Sequence, residues 1–114
     1  MKEEIEFSEF LEIEKKLEII VGKIVEVEDV PKSSKLVKLT VDLGEETTRT
    51  VVTNIKPHYD NVKTSLLNKC FPFITNLKPA KMMGIESTAM IMPGDIENNN
   101  KLSNIDTPIG TKLL

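Results

Sequence analysis

Val-Lys-Leu-Thr-Val-Asp-Leu, residues 37–43, is the stretch of this chain that decides its fold. Its apolar residues alternate strictly with polar ones, which is the period of a strand with one buried and one exposed face. Gly-Glu-Glu at 44–46 then forms a short connection into 47–53, a segment rich in β-branched residues. The two segments together predict a β-hairpin.

Strand patterns continue on both sides of this hairpin. Upstream, 17–29 carries evenly spaced apolar residues around Gly22, which predicts one long strand with a bulge or sharp bend at the glycine. Downstream, 69–75 and 86–92 predict a fourth and a fifth strand, with Pro72 expected at an edge or a bulge of the fourth. The evenly spaced residues of the first strand are Ile19, Val21, Val25 and Val27.

Two short helices are predicted around these strands. Ser8 is a candidate N-cap for a leading helix over 8–16. Residues 57–67 indicate a turn followed by a short helix, since Pro57 suits a first helical turn. The apolar stripe of the leading helix is expected to consist of Phe7, Phe10 and Leu11.

Three strands, a short helix and two further strands follow the element order of the oligonucleotide-binding (OB) fold, a five-stranded Greek-key barrel. The sequence therefore predicts an all-β OB-fold with a short helix between strands 3 and 4 and a short leading helix. The pattern alone is also compatible with another small barrel or an open five-stranded sheet. One domain over 1–114 is expected: a leading helix in 1–16, the barrel in 17–92 and a C-terminal extension in 93–114 with an edge strand near 101–105.

The residue content argues against an enzyme. His58 and Cys70 are the only residues of their kinds, so that no catalytic triad and no metal-ligand pair can be assembled, and neither a metal nor another cofactor is expected. His58 is interpreted as a loop residue and Cys70 as a small core residue. No run approaches the about 18 apolar residues of a membrane span, and a single cysteine favours a reducing compartment. We therefore expect a cytoplasmic protein with neither a membrane partner nor a small-molecule substrate.

Charge is segregated along the chain, whose net charge is −3. Residues 1–29 hold ten acidic and four basic side chains, whereas 30–81 hold nine basic and four acidic ones. Such segregation can place a basic face on an acidic protein. A lysine-rich solvated surface is the plainer interpretation.

One inter-strand segment, 75–87 (TNLKPAKMMGIES), combines an amide and two ammonium groups. Asn76, Lys78 and Lys81 lie in a loop that Pro79 stiffens, and Gly84 permits a turn with positive φ into the next strand. OB-folds use such loops to bind nucleic acid. A polar hairpin loop with ordinary turn residues is the alternative, and the methionines at 82, 83, 90 and 92 are expected to fill the core.

This segment closely resembles the signature of a known family. NLKPAKMMGIES at 76–87 is similar, almost residue for residue, to the signature loop of the tRNA-binding domains found in methionyl-tRNA synthetases, in endothelial-monocyte-activating-polypeptide-like proteins and in stand-alone tRNA-binding proteins. The resemblance extends to KLVKLTVDLG at 35–44, to FSEF at 7–10 and to IIVGKIVEVE at 19–28. It covers essentially the whole chain.

The resemblance implies a non-catalytic tRNA-binding module, of the methionyl-tRNA synthetase C-terminal or β-subunit type, that serves as a cofactor of aminoacylation. It also implies a homodimer, with 1–16 as the dimer arm, or association with an aminoacyl-tRNA synthetase. The residues that it assigns to tRNA binding are Lys35, Arg49, Thr53, Asn54, Asn76, Lys78, Lys81 and Ser87.

The sequence departs from the family pattern at three places, and two of the departures remove a cationic contact. Ile20 and Met83 stand where the family usually has arginine, and Thr-Asn-Ile at 53–55 stands for Ser-Gly-Ile. Each lost phosphate contact lowers the salt dependence of binding by about 0.7–0.9 in log–log slope. We therefore expect weak, salt-sensitive tRNA binding. The alternatives are a dimeric, chaperone-like protein-binding module and a scaffold of a synthetase complex.

Overall fold

The computed structural model describes all of residues 1–114 and confirms a mostly β chain built on a five-stranded, nearly closed antiparallel barrel. The barrel sheet has the strand order β3-β2-β1-β4-β7, and β5-β6 and β8-β9 are separate hairpins. The strands are β1 (Ile19–Asp29), β2 (Val37–Asp42), β3 (Arg49–Thr53), β4 (Cys70–Ile74), β5 (Ala80–Met82), β6 (Ile85–Ser87), β7 (Met90–Ile91), β8 (Gly94–Asp95) and β9 (Asn100–Lys101).

Hydrogen bonds close the barrel between β3 and the chain around β6. The Thr88 N–H donates to the Thr50 carbonyl at 3.0 Å, and the Val52 N–H donates to the Ser87 hydroxyl at 2.9 Å. The fifth strand expected over 86–92 is therefore divided, since β6 meets β3 whereas β7 pairs with β4. This division lets one segment serve two edges of the barrel.

The leading helix α1 (Phe7–Glu14) is confirmed, but the predicted Ser8 cap is wrong. The helix begins at Phe7 with Glu6 as N-cap, so Ser8 lies inside it, and no side chain caps its first N–H groups. Between β3 and β4 a 3-10 turn at Lys56–His58 precedes helix α2 (Val62–Leu66), as the prediction of a turn plus a short helix requires. Asn61 caps α2 by accepting from the Thr64 N–H at 3.1 Å.

The bulge predicted at Gly22 lies instead at Val25. In the β1–β2 register Ile24 faces Val41 and Glu26 faces Thr40, which leaves Val25 as the extra residue. The bulge shifts by one residue which side chains of β1 point into the core. Ile24 is therefore fully buried and Val25 only half-buried.

Gly22 is required for packing instead. A β-carbon built there would lie 2.7 Å from a methyl carbon of Leu43 and 2.7 Å from one of Val41. Real β-carbons do not approach neighbours so closely, so any larger residue here would force the surrounding core side chains to shift.

Pro72 does not lie at an edge or a bulge, because β4 has neighbours on both sides. Its partner in β1 is Val21, whose N–H donates to the Thr111 carbonyl and whose carbonyl accepts from the Gly110 N–H. Since Val21 directs its backbone bonds to the C-terminal tail, β1 needs no donor from residue 72. The Pro72 carbonyl accepts from the Met92 N–H, so the backbone of residue 72 faces the β7 side, where the β4–β7 pairing reaches only to Phe73. Proline is tolerated there because its nitrogen lies just beyond the paired residues.

The C-terminal tail forms no edge strand near 101–105. Asn100–Lys101 pairs with Gly94–Asp95 in a small hairpin, and the last residues then run beside β1. The Ile19 N–H donates to the Leu114 carbonyl at 2.6 Å, and the Leu113 N–H donates to the Ile19 carbonyl at 2.8 Å. The tail thus covers the first half of β1, which β2 leaves unpaired.

The core fills the interior of the barrel. The alternation predicted over 37–43 is confirmed, since Val37, Leu39, Val41 and Leu43 are all buried there. Phe71 and Phe73 of β4 are its largest members, and Cys70 beside them is a half-buried free thiol. Neither helix has the length and apolar character that crossing a membrane would need.

Candidate nucleic-acid interface

The segment expected to be an inter-strand loop is a β-hairpin. Strands β5 and β6 pair through Ala80 with Ser87 and through Met82 with Ile85, leaving Met83 and Gly84 as a two-residue turn. Their φ angles are 51° and 80°, both positive, as a type I′ hairpin turn needs. The expected positive φ at Gly84 is therefore confirmed.

Strand alternation sends the two lysines of this hairpin to different environments. Lys81 pairs with Glu86, on the opposite face from Ala80 and Met82. Lys78 precedes β5 and lines a groove on the inner side of the hairpin. Both side chains are exposed, and neither has a carboxylate within ion-pair distance. Both ammonium groups are therefore available to an anionic ligand.

The groove has a volume of about 540 Å³ and separates the hairpin from the ends of β3 and β7. Four residues that the sequence assigns to tRNA binding line it, although they come from distant parts of the chain: Thr53, Asn54, Lys78 and Ser87. No acidic side chain lines the groove. In a chain with 18 acidic residues, this composition favours an anionic ligand.

The methionines are not core residues, contrary to the prediction. Met83 and Met90 are 58% and 53% exposed, and Met82 and Met92 are exposed as well. Met82 and Met90 form part of the groove wall. Sequence reasoning missed them as site residues, because the type of an apolar residue does not show whether other elements will cover it or leave it exposed.

Ser87 lies in the groove but uses its hydroxyl within the protein. It is 6% exposed, accepts from the Val52 N–H at 2.9 Å and donates to the Ala89 carbonyl at 3.2 Å. Its position therefore fixes the distance between β3 and the hairpin.

Asn76 is likewise engaged inside the protein. Its amide oxygen accepts from the Glu18 N–H at 2.9 Å, and its amide nitrogen donates to the Lys16 carbonyl at 2.8 Å. These bonds tie the end of β4 to the segment that joins α1 to β1.

Arg49 makes four hydrogen bonds. Its guanidinium holds Glu45 by two of them, and its Nη1 donates to the Thr75 carbonyl at 2.7 Å and to the Thr88 carbonyl at 3.2 Å. The hydrogen bond from Arg49 lowers the pKa of Glu45, and the same bond raises the pKa of Arg49. Glu45 was absent from the predicted site, and its i,i+4 spacing from Arg49 across a turn would not have identified it.

Lys35 is exposed in the loop before β2. The Ser33 hydroxyl accepts from the N–H groups of Lys35 and Leu36, and the Lys35 carbonyl accepts from the Lys56 N–H. Leu36, the next residue, lines the groove. The predicted cation at Lys35 is thus one residue from the groove wall.

Ile20, where the family resemblance led us to expect arginine, lies in another, smaller groove of about 220 Å³. Arg49, Glu45 and Glu18 line the same groove. Arg49 is therefore the one arginine in this smaller groove, and it is paired with the carboxylate of Glu45.

A cation–aromatic contact between Lys101 and Tyr59 was also not predicted. The Lys101 ammonium lies 4.7 Å from the centre of the Tyr59 ring and donates to the His58 carbonyl at 2.8 Å. Burial raises the pKa of the Tyr59 hydroxyl. No group of three or more His, Cys, Asp or Glu side chains is arranged to hold a metal ion.

Comparisons with known proteins identify relatives of this chain. A family model described as "Putative tRNA binding domain" matches residues 19–112. The methionine–tRNA ligases of Methanocaldococcus jannaschii and Methanococcus aeolicus are 45% and 43% identical over 101 and 99 residues. The alignments cover 86% of this chain but only 15% and 14% of those ligases, so the chain spans a small part of its relatives.

Solved structures resemble the chain over nearly its full length. A MetRS-related protein from Pyrococcus horikoshii is 30% identical, with a TM-score of 0.79 over 99% of this chain and 100% of that one. A CsaA chaperone protein from Picrophilus torridus has a TM-score of 0.76 over 97% of this chain and 100% of that one, at 24% identity. At that identity the second likeness shows a shared fold alone.

Proposed function

Because the chain belongs to the family of tRNA-binding domains, whose members are non-catalytic modules, we propose that it binds tRNA through the groove and the β5–β6 hairpin. One observation carries the proposal. Lys78 meets Thr53 and Asn54, which precede it by more than 20 residues, in a groove with no acidic side chain. Such a surface accepts the charge of a phosphate backbone and offers hydrogen-bonding groups beside it.

Three lysines supply the phosphate contacts in this proposal. Lys35, Lys78 and Lys81 are exposed and have no carboxylate partner. Arg49, Asn76 and Ser87 instead maintain the shape of the barrel in the free protein, because their side chains already bond other parts of the chain. Three contacts at about 0.7–0.9 each give a modest salt slope and weak binding at physiological salt.

The relatives of the chain support a proposed role toward a synthetase. Methionine–tRNA ligases carry a homologous region as 14–15% of their length, so the proposed role is to strengthen a methionyl-tRNA synthetase's hold on tRNA. Added to a methionyl-tRNA synthetase that lacks such a domain, the chain should lower the KM for tRNA and leave kcat unchanged. An unchanged KM would contradict this role.

Helix α1 is the proposed dimer arm. None of its residues is buried, and the rings of Phe7 and Phe10 stack on each other with centroids 6.1 Å apart. Leu11 and Ile13 are exposed on the same helix. A second copy that covers these side chains would remove the apolar surface from water. Light scattering should report a dimer that Phe7→Ser with Phe10→Ser dissociates, whereas Glu9→Ser should not.

The test of tRNA binding is a titration with total tRNA at several salt concentrations. Lys78→Glu and Lys81→Glu should each weaken binding and reduce the salt slope while thermal unfolding stays unchanged. Lys63→Glu is the matched control, because it makes the same charge change at an exposed site outside the groove. Equal losses in all three variants, or no binding at low salt, would refute the assignment.

The exposed methionines favour one second candidate, a protein-binding module. Methionine side chains adapt to varied apolar partners, and Met82 and Met90 border a groove that is otherwise mostly apolar. Suppression of the aggregation of an unfolded protein, together with no tRNA binding at low salt, would favour this function over the first.

A further inference from the structure

The polar groups of the groove have unused hydrogen-bonding capacity. The side chains of Thr53, Asn54 and Lys78 make no hydrogen bond within the protein, and all three line the groove. Ser87, the fourth polar residue, is fully engaged. The groove therefore presents one hydroxyl, one amide and one ammonium group to a ligand.

The rest of the groove is mostly apolar. Buried Val52, Ile55 and Ile91 line it, and the thioether side chains of Met82 and Met90 border it. Thioethers make favourable contacts with aromatic rings. A volume of about 540 Å³ is within the range of pockets that enclose small organic molecules.

We propose that the groove binds one unstacked nucleobase of an RNA single strand, with its phosphate on Lys78. The Asn54 amide and the Thr53 hydroxyl meet the base edge, and Met82 and Met90 contact its face. The inference rests on the proposed tRNA binding and deepens it, because it assigns the groove to a single-stranded segment of the RNA and not to a duplex.

Charge favours a nucleotide over a peptide side chain as the occupant. An apolar peptide side chain would use only the walls of the groove, whereas a nucleotide uses the walls, the amide, the hydroxyl and the ammonium group together. The absence of any carboxylate from the lining removes the repulsion that an entering phosphate would otherwise meet.

The probe is a single-stranded hexaribonucleotide with a central 2-aminopurine, compared with a duplex that has the same number of phosphates. The hexamer should bind more tightly than the duplex, and the fluorescence of its 2-aminopurine should rise as the base leaves the stack. Asn54→Asp, which puts a carboxylate into the groove, and Ala80→Phe, which fills it, should each weaken hexamer binding about tenfold and abolish the rise.

Two controls make the same chemical changes outside the groove. Asn68→Asp matches Asn54→Asp in size and charge, and Leu113→Phe adds a neutral ring at an exposed apolar residue outside both the groove and the β5–β6 hairpin. Both should bind the hexamer as the wild-type chain does. Equal effects of Asn54→Asp and Asn68→Asp, or a duplex that binds as well as the hexamer, would overturn the base pocket.

The result also separates this inference from the proposed function. If tRNA binding responds to Lys78→Glu but the groove variants bind the hexamer normally, the base pocket is wrong and the tRNA-binding function stands. If neither RNA binds at low salt and Ala80→Phe instead reduces the capture of a reduced, alkylated protein, both proposals are wrong.

Discussion

Arg49 and Glu45 form a doubly hydrogen-bonded ion pair at the start of β3. Nε of Arg49 lies 2.9 Å from one carboxylate oxygen, and Nη2 lies 3.0 Å from the other. The same guanidinium bonds the carbonyls of Thr75 and Thr88, so it connects three strand ends. An RNA phosphate that approached Arg49 would have to displace Glu45.

The ion pair predicts a pH dependence of stability. Because Arg49 lowers the pKa of Glu45 in the folded state, the pair stabilises the fold above the ordinary glutamate pKa. That contribution is lost as the pH falls through the lowered value. Urea unfolding at pH 7 and pH 3 should show a larger acid-induced loss for the wild-type chain than for Glu45→Gln. The effect will be small, since the carboxylate is largely exposed.

The same substitution should also strengthen tRNA binding. Glu45→Gln removes the charge that competes for Arg49, so one more phosphate contact becomes available and the salt slope should rise by about 0.7–0.9. Glu46→Gln is the control, because Glu46 is an exposed neighbour with no ion pair. If the two variants bind tRNA alike, Arg49 makes no RNA contact.

Ser87→Ala should destabilise the barrel. The buried hydroxyl is the acceptor for the Val52 N–H, and its loss leaves that donor without a partner at the closure of the barrel. A buried unsatisfied group costs about 1–3 kcal/mol in the free energy of unfolding, which urea denaturation measures. Ser34→Ala, at an exposed serine with no side-chain hydrogen bond, should leave that free energy unchanged.

Gly22→Ala should destabilise the fold by overpacking. The added methyl group would meet Leu43 and Val41 at 2.7 Å inside the core, and such insertions cost about 1–3 kcal/mol. Gly84→Ala separates this effect from backbone strain, because nothing lies within 4 Å of its β-carbon but its φ is +80°. If Gly22→Ala unfolds at the wild-type urea concentration, the packing argument is wrong.

The barrel was predictable because its signal is local. Alternation at 37–43 follows directly from which face of a strand meets the core, so the burial of Leu39 and Val41 could be read from the sequence. The reason for Gly22 could not be read from the sequence, because a glycine within a strand is equally typical of a bulge and of a close side-chain contact. Pro72 was misplaced because its tolerance depends on where the pairing of β4 with the distant strand β7 ends, which is at Phe73.

The residues that line the candidate site could be predicted from the sequence, but not which of their side chains are already hydrogen-bonded within the protein. The resemblance named Asn54 and Lys78, and the fold brings them into one groove. It could not show that Asn76 and Arg49 already bond other parts of the chain, because those partners lie on distant strands. Whether the named residues contact RNA stays a prediction.

Met83 offers a direct test of the arginine that the family resemblance leads us to expect at the hairpin turn. The residue lies at the hairpin turn, is 58% exposed and has a φ of 51°. Arginine at this position would incur no more backbone strain than methionine and would meet no core residue. Met83→Arg should therefore fold normally, bind tRNA more tightly and raise the salt slope by about 0.7–0.9, as one added phosphate contact requires.

Two further variants give this experiment its controls. Met83→Gln keeps the length and removes the charge, so it should bind tRNA as the wild-type chain does. Lys63→Arg keeps the number of charges and should also change nothing, since it lies outside the groove. Tighter binding by Met83→Arg with an unchanged slope would mean that the new side chain stacks on the RNA and does not neutralise a phosphate. Unchanged affinity would place the hairpin turn outside the RNA contact and restrict the interface to the groove.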